Sequence, residues 1–240
     1  YVIETGAHCI HTVSVADKQI VSSFGRRGSG EGEFDFVPLS GLTHCPKRNL
    51  LIAIDSSNER VVFLNTSNTS PEITWAGSSH GINRHGHQSL KTVGKYGAFR
   101  CPTQAAVHGD SLFVLSCHGS RNKSRMGIAV LSLSTNDDSF GRCERWIGGK
   151  GSGIKGELTG VAVHDGKLYV TNKNSIHVLS PETGILWQMV LLPHISHLDA
   201  GDYRYSIYVD GTQVYVAANN RMLILDVLQP SSAAGSSSAS

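Results

Sequence analysis

Apolar residues run in short stretches along the whole chain, broken every few positions by Gly, Asp, Asn or Ser. That texture predicts strands and tight turns rather than long helices. One unit recurs five times: an aromatic or aliphatic strand, a polar turn, then a second apolar strand. It reads YVIETGAHCIHTVS (1–14), IAIDSSNERVVFLN (52–65), FVLSCHGSRNKSRMGIAVLSL (113–133), YVTNKNSIHVLS (169–180) and YVAANNRMLILD (215–226). The aligned starts Tyr1, Ile52, Phe113, Tyr169 and Tyr215 are separated by 51, 61, 56 and 46 residues. A further strand ending in a turn precedes several copies, as in QAAVHGD (104–110), GVAVHDG (160–166), SIYVDGT (206–212) and, less clearly, SGLTHC (40–45). Another follows each of the first four copies before a loop: IVSSF (20–24), EITWA (72–76), ERWI (144–147) and ILWQMV (185–190). Four short strands per period predict an all-β chain of repeated four-stranded meanders, which is the pattern of β-propeller blades.

The segment 21–65 carries a more specific pattern. A Gly-rich loop (Gly28, Gly30, Gly32) leads to Phe34 or Phe36 and Pro38, then to a strand ending at Asp55 with Asn58 and Arg60 just after it. This resembles an NHL repeat. The second copy keeps Gly94, Gly97, Phe99 and Pro102; the third keeps Gly148, Gly151, Gly153, Gly156 and Leu158 without the Pro. The resemblance implies an NHL-type β-propeller over 1–228, with Phe and Pro filling the seam between blades. On the residues alone, the Gly loop carries the chain from an outer strand to the next inner strand through backbone angles that suit Gly. Asp55 suits the N–H groups of the Ser56–Glu59 turn, and Arg60 suits a nearby carboxylate or carbonyl. The first copy lacks an inner strand and the last an outer one, so about four and a half four-stranded blades are visible. The family implies a six-bladed ring, and the alternative is an irregular five-bladed one. Residues 229–240, a Ser/Ala/Gly tail, are expected to be disordered.

Composition narrows the class. Of 240 residues, 40% are apolar and 17% charged, against roughly 25% charged in an average soluble domain. A charge-rich disordered chain is excluded, and no apolar run approaches the roughly 20 residues of a membrane-spanning helix. Five widely spaced cysteines, Cys9, Cys45, Cys101, Cys117 and Cys143, do not form a disulfide framework and read as mostly buried free thiols, consistent with a cytoplasmic location. Tyr1 opens in mid-motif, so the stretch is expected to belong to a longer protein.

Charge changes the picture only in the middle. The net charge is +2, but residues 84–155 hold eleven Lys/Arg against four Asp/Glu. The candidate binding residues lie there: Arg84, Lys91, Lys95 and Arg100 in one inserted segment, and Arg121, Lys123 and Arg125 in the enlarged turn SCHGSRNKSR. Tyr96 and Phe99 stand among them, a mixture that suits single-stranded RNA. Metal ligation has weaker candidates in His80, His85 and His87, spaced H-x4-H-x-H, and in His108 and His164, which occupy equivalent positions after two inner strands. Amidating lyases, similar in fold, hold zinc with histidines at a propeller mouth, and calcium-dependent propeller lactonases use channel carboxylates; Asp199, Asp202 and Asp210 are the carboxylates here. Asp210 is better accounted for as the turn residue of a V-D-G hairpin. No G-x-S-x-G, P-loop or H-E-x-x-H pattern occurs.

The expectation is a non-enzymatic scaffold that presents inserted loops to a protein partner, without a cofactor and without a membrane segment. The alternatives are an RNA-binding module using 84–125, and a Zn- or Ca-dependent propeller enzyme.

Overall fold

The computed structural model describes residues 1–37, 40–67, 72–78, 99–118, 125–134, 140–148, 152–154, 157–172, 174–192, 205–218 and 221–226, with only the backbone described at 72–78, 99, 100, 117, 118, 125, 205, 218 and 221. Pro38 and the 229–240 tail lie outside these residues.

Among the described residues, five antiparallel sheets follow one another along the chain. The first contains β1 (Val2–Glu4), β2 (Cys9–Ser14) and β3 (Gln19–Phe24). A loop with a short parallel pair, β4 (Arg26–Arg27) and β5 (Glu33–Phe34), leads onward. The second sheet is a meander of β6 (Leu42–Cys45), β7 (Leu50–Asp55), β8 (Arg60–Asn65) and β9 (Glu72–Ser78). In the third, β10 (Phe99–Arg100) and β11 (Ala105–His108) both pair with β12 (Ser111–His118), followed by β13 (Arg125–Ser132) and β14 (Cys143–Ile147). The fourth is β15 (Leu158–His164), β16 (Lys167–Asn172), β17 (Ser175–Leu179) and β18 (Leu186–Leu191). The fifth is β19 (Tyr205–Asp210), β20 (Gln213–Ala218) and β21 (Arg221–Asp226). Turn chemistry sets the hairpins. Asp165 and Gly166 between β15 and β16 have φ of 46° and 64°, the left-handed pair of a tight hairpin turn. Asp210 ends β19, opposite Gln213, and the turn proper is Gly211–Thr212.

Side-chain alternation explains how the sheets stack. Successive strand residues point to opposite faces, so a strand buried on both faces reads as one apolar run. In the second sheet Leu51, Ala53, Val62 and Leu64 face the first sheet, packing with Ile10, Phe34 and Phe36. Their neighbours Ile52, Ile54, Val61 and Phe63 face the third, against Leu112, Val114, Ala129 and Leu131. The third sheet's other face, with Phe113, Leu115, Ile128 and Val130, meets Val161, Leu168 and Val170 of the fourth. Ala162, Tyr169, Ile176 and Val178 then meet Ile207, Val209, Val214 and Val216 of the fifth. The first strands β6, β11, β15 and β19 lie next to one another in that order. Meanders stacked face to face around adjacent first strands make a propeller-like fold. At the far end of the stack the fifth sheet presents Tyr208, Met222 and Ile224, each more than half exposed.

The Gly-rich loop is clamped from the second sheet. Asp55, fully buried, accepts hydrogen bonds from the Asp35 N–H (2.8 Å), Asn58 Nδ2 (2.8 Å) and Arg60 Nε (2.7 Å). Its work is therefore directed at the loop as well as at its own turn. Arg60 also donates to the carbonyls of Ser29 (2.9 Å), Gly30 (3.3 Å) and Glu33 (2.6 Å), and Asn58 to Gly28 O (2.9 Å). Burial pushes the Asp55 carboxyl up, while Arg60, Asn58 and the Asp35 amide pull against that. Leu158 is the third copy's counterpart of the seam Phe, buried with Ile154 between the third and fourth sheets.

One buried titratable group gives a pH prediction. His177 on β17 is 2% exposed, shares a hydrogen bond with Ser175 Oγ at 3.1 Å, and has its pKa lowered by burial. A histidine depressed in the folded state contributes stability that is present above its unfolded pKa and lost as pH falls through that value. Thermal unfolding followed by circular dichroism from pH 7.5 to 5 should therefore show a loss of at most about 1.4 kcal/mol per pH unit from this group. His177→Phe should flatten the profile; an unchanged slope would remove His177 as its source.

Candidate functional site

Strand register places the described residues that flank the two basic segments in adjacent rows at one end of the third sheet. Phe99 of β10 lies opposite His118 of β12, and His118 lies opposite Arg125 of β13. One position inward, Arg100, Cys117 and Met126 form the next row. The segment that carries Arg84, Lys91 and Lys95 leads directly into β10, and the turn that carries Arg121 and Lys123 joins β12 to β13. Those five residues lie outside the described residues; of Arg100 and Arg125 the backbone position is described.

The histidine pair marks the opposite end. His108 pairs with Ser111 and His164 with Lys167, each at the tip of the hairpin leaving a first strand. Seven residue steps along β12 separate Ser111 from His118, about 23 Å at 3.3 Å per residue. His108 is exposed, and its charge helps to hold the Glu182 carboxyl below the usual range, after the backbone and Ser180 hydrogen bonds that act more strongly. His80, His85 and His87, and Asp199 and Asp202, lie outside the described residues. Asp210 is exposed at the end of β19.

A third cluster stands on the first sheet, on the face turned away from the second. Glu4 lies opposite Cys9 in the β1–β2 pair, and His11 is two residues further along β2 on the same side. His11 Nε2 is 2.7 Å from Glu4 Oε2 and 3.5 Å from Cys9 Sγ. Cys9 Sγ is 4.0 Å from Glu4 Oε2. On its other side, His11 Nδ1 is 2.8 Å from Ser23 Oγ of β3. Among the described residues, this is the group of three whose potential ligand atoms lie within 4.8 Å of one another. Burial, then the Glu4 charge, raises the Cys9 thiol pKa. Sequence reasoning missed Glu4 and His11 and took Cys9 only as a buried thiol. The signal was present: Cys and His two apart in a strand share a face, and the short ETGAH turn sets Glu4 across from Cys9.

The remaining described cysteine side chains are free thiols, Cys45 and Cys143 buried and Cys101 exposed. Burial pushes the Cys143 thiol up to about 11, which marks it as inert. Among the described residues no helix is long and apolar enough to cross a membrane.

No family model matches the chain, and no curated protein does. Solved structures are similar in fold. A functionally unknown protein from Desulfotomaculum acetoxidans superposes with a TM-score of 0.54 at 15% identity, over 96% of this chain and 62% of that one. Kuenenia stuttgartiensis hydrazine synthase (TM-score 0.49, 13% identity, 84% and 49% covered) and Myxococcus xanthus glutaminyl cyclase (0.47, 13%, 78% and 64%) align more weakly. The chain spans between about half and two thirds of the length of these proteins. At such identities the likeness concerns fold alone, and only the Desulfotomaculum protein, above 0.5, adds to the stacking described above.

Proposed function

We propose that this chain is a non-enzymatic interaction module of NHL type, part of a six-bladed propeller in a longer protein, and that it binds an acidic protein segment at the basic end of the third sheet. The observation that carries this reading is the register Phe99–His118–Arg125. It sets the strand residues flanking two separately inserted basic segments at one end of a sheet whose two faces are packed against neighbours, and rigid sheets carrying loops are a common platform for partners. The seven Lys/Arg that the two segments carry in sequence favour an anionic partner. A second reading, single-stranded RNA, is favoured by Tyr96 and Phe99 among the charges, since aromatics stack on bases.

Fluorescence anisotropy with a labelled poly-glutamate peptide and a labelled oligouridylate tests both. The acidic-segment reading expects the peptide to bind and the triple substitution Arg121→Ser, Lys123→Ser, Arg125→Ser to weaken it at least tenfold without changing the circular dichroism spectrum. Peptide affinity that survives the triple substitution would assign the wrong end. RNA is the partner if the oligouridylate binds more tightly, loses affinity with a steep salt slope, about −0.7 in log–log terms for each phosphate neutralised, and is weakened by Tyr96→Ala.

A further inference from the structure

We propose that Glu4, Cys9 and His11 form a binding site for a divalent zinc ion, a clasp that ties the edge strand β1 to the centre of the first sheet. The donor set is a thiol, an imidazole and a carboxylate, the ligand types zinc takes. With zinc–sulfur and zinc–nitrogen or –oxygen bonds of about 2.3 and 2.0–2.1 Å, tetrahedral ligands stand roughly 3.3–3.6 Å apart. The site is close to that already: 3.5 Å between Cys9 Sγ and His11 Nε2, 4.0 Å between Cys9 Sγ and Glu4 Oε2, and 2.7 Å between His11 Nε2 and Glu4 Oε2. The sulfur–nitrogen separation needs no change, and the other two need shifts of well under an ångström. The flexible Glu4 carboxylate, half exposed, can make both.

The surrounding chemistry fits the ion. Without metal, the 2.7 Å contact has His11 Nε2–H donating to Glu4, so Nδ1 accepts from the Ser23 hydroxyl. Zinc on Nε2 moves the proton to Nδ1, which then donates to Ser23 Oγ at the same 2.8 Å. A hydroxyl serves both tautomers, and a partner on the far nitrogen is the usual support of a zinc histidine. Binding forms a zinc–sulfur bond, breaks the Cys9 S–H bond and releases that proton to solvent. The cation neutralises the Glu4 charge that the thiolate would otherwise face. A water would complete the tetrahedron, reached from the side of the half-exposed Glu4 carboxylate.

The test uses cobalt(II) as an optical probe and zinc as competitor, in a background variant with His80, His85 and His87 replaced by Ala. One equivalent of cobalt should give a near-ultraviolet thiolate charge-transfer band that zinc bleaches. Cys9→Ser should abolish the band, His11→Gln should abolish tight binding, and Ser23→Ala should weaken it by about 10–100-fold. Zinc should raise the unfolding midpoint of the parent and not that of Cys9→Ser. Should Cys9→Ser fail to fold by circular dichroism, Glu4→Ala, a change at an exposed residue, must lower the affinity at least tenfold instead. No thiolate band, a band that persists in Cys9→Ser, or a zinc affinity unmoved by Glu4→Ala and His11→Gln would overturn the site.

Discussion

Replacing Arg60 by Ala is expected to lower the unfolding free energy by about 3–5 kcal/mol, the cost of leaving a buried charge without its partner. Against a total of roughly 5–15 kcal/mol for a folded domain, that is a large share. The size follows from burial: Asp55 is fully buried, and Arg60, 6% exposed, is its cationic donor among the described residues. The same substitution takes donors from the carbonyls of Ser29, Gly30 and Glu33, so the loop between the first two sheets loses its clamp as well. The pH dependence supplies a second readout. In the variant, the unpaired Asp55 carboxyl has a folded pKa raised well above its unfolded value. The penalty is then complete at neutral pH and shrinks as pH falls, because the folded state takes up a proton the unfolded state does not. Urea unfolding at pH 7 and pH 5 checks both points. A loss below about 1 kcal/mol, the range of an exposed ion pair, would show that the clamp does not carry the loop. Arg60→Lys keeps the charge but not the planar fork that reaches Asp55 and the loop carbonyls together, and should fall between.

That clamp was legible in the sequence in its parts but not in its target. Asp55, Asn58 and Arg60 stood out by spacing, and the Gly-rich loop stood out by composition. What spacing could not supply was that the Asp and Arg reach 20 to 31 residues back along the chain. The strands of the stacked middle sheets were more legible, because several are buried on both faces and their apolar runs are bounded by turn residues; Leu50–Asp55 and Val61–Leu64 are examples. The short pairs β4–β5 and β10–β12 went unseen since two residues carry no period. The Glu4–Cys9–His11 group went unseen for another reason: its three residues come together only once hairpin register is known, and register is a pairing property of two strands rather than of one. The basic island was legible as charge, and the register adds that Phe99, His118 and Arg125, which flank the two inserted segments, share one end of the third sheet.

Phe34→Ala should cost about 3–5 kcal/mol, in the range of aromatic-to-alanine changes in a core. Phe34 is fully buried in the seam between the first and second sheets. Its ring stacks on Phe36 with centroids 4.7 Å apart and meets Phe24 edge-on at 6.0 Å. The ring also occupies the space beside Gly25, where an added Cβ would come within 2.6 Å of it, and Gly25 sits at φ of +100°. The outer strand of one sheet, the Gly turn and the seam ring are thus one packed unit, and the first sheet reaches the second chiefly through it. Phe34→Leu refills most of the volume and should cost less than Phe34→Ala; equal costs would mean the loss is not a cavity effect. Since Arg60 grips Glu33 and Asp55 grips Asp35, the backbone on both sides of Phe34 is fixed by the same ion pair that Arg60→Ala breaks. The double variant Arg60→Ala, Phe34→Ala should therefore lose less than the two single losses together, by roughly 0.5–3 kcal/mol, as residues sharing one backbone segment do. Additivity within about 0.5 kcal/mol, the behaviour of independent sites, would mean that clamp and plug act on the loop separately.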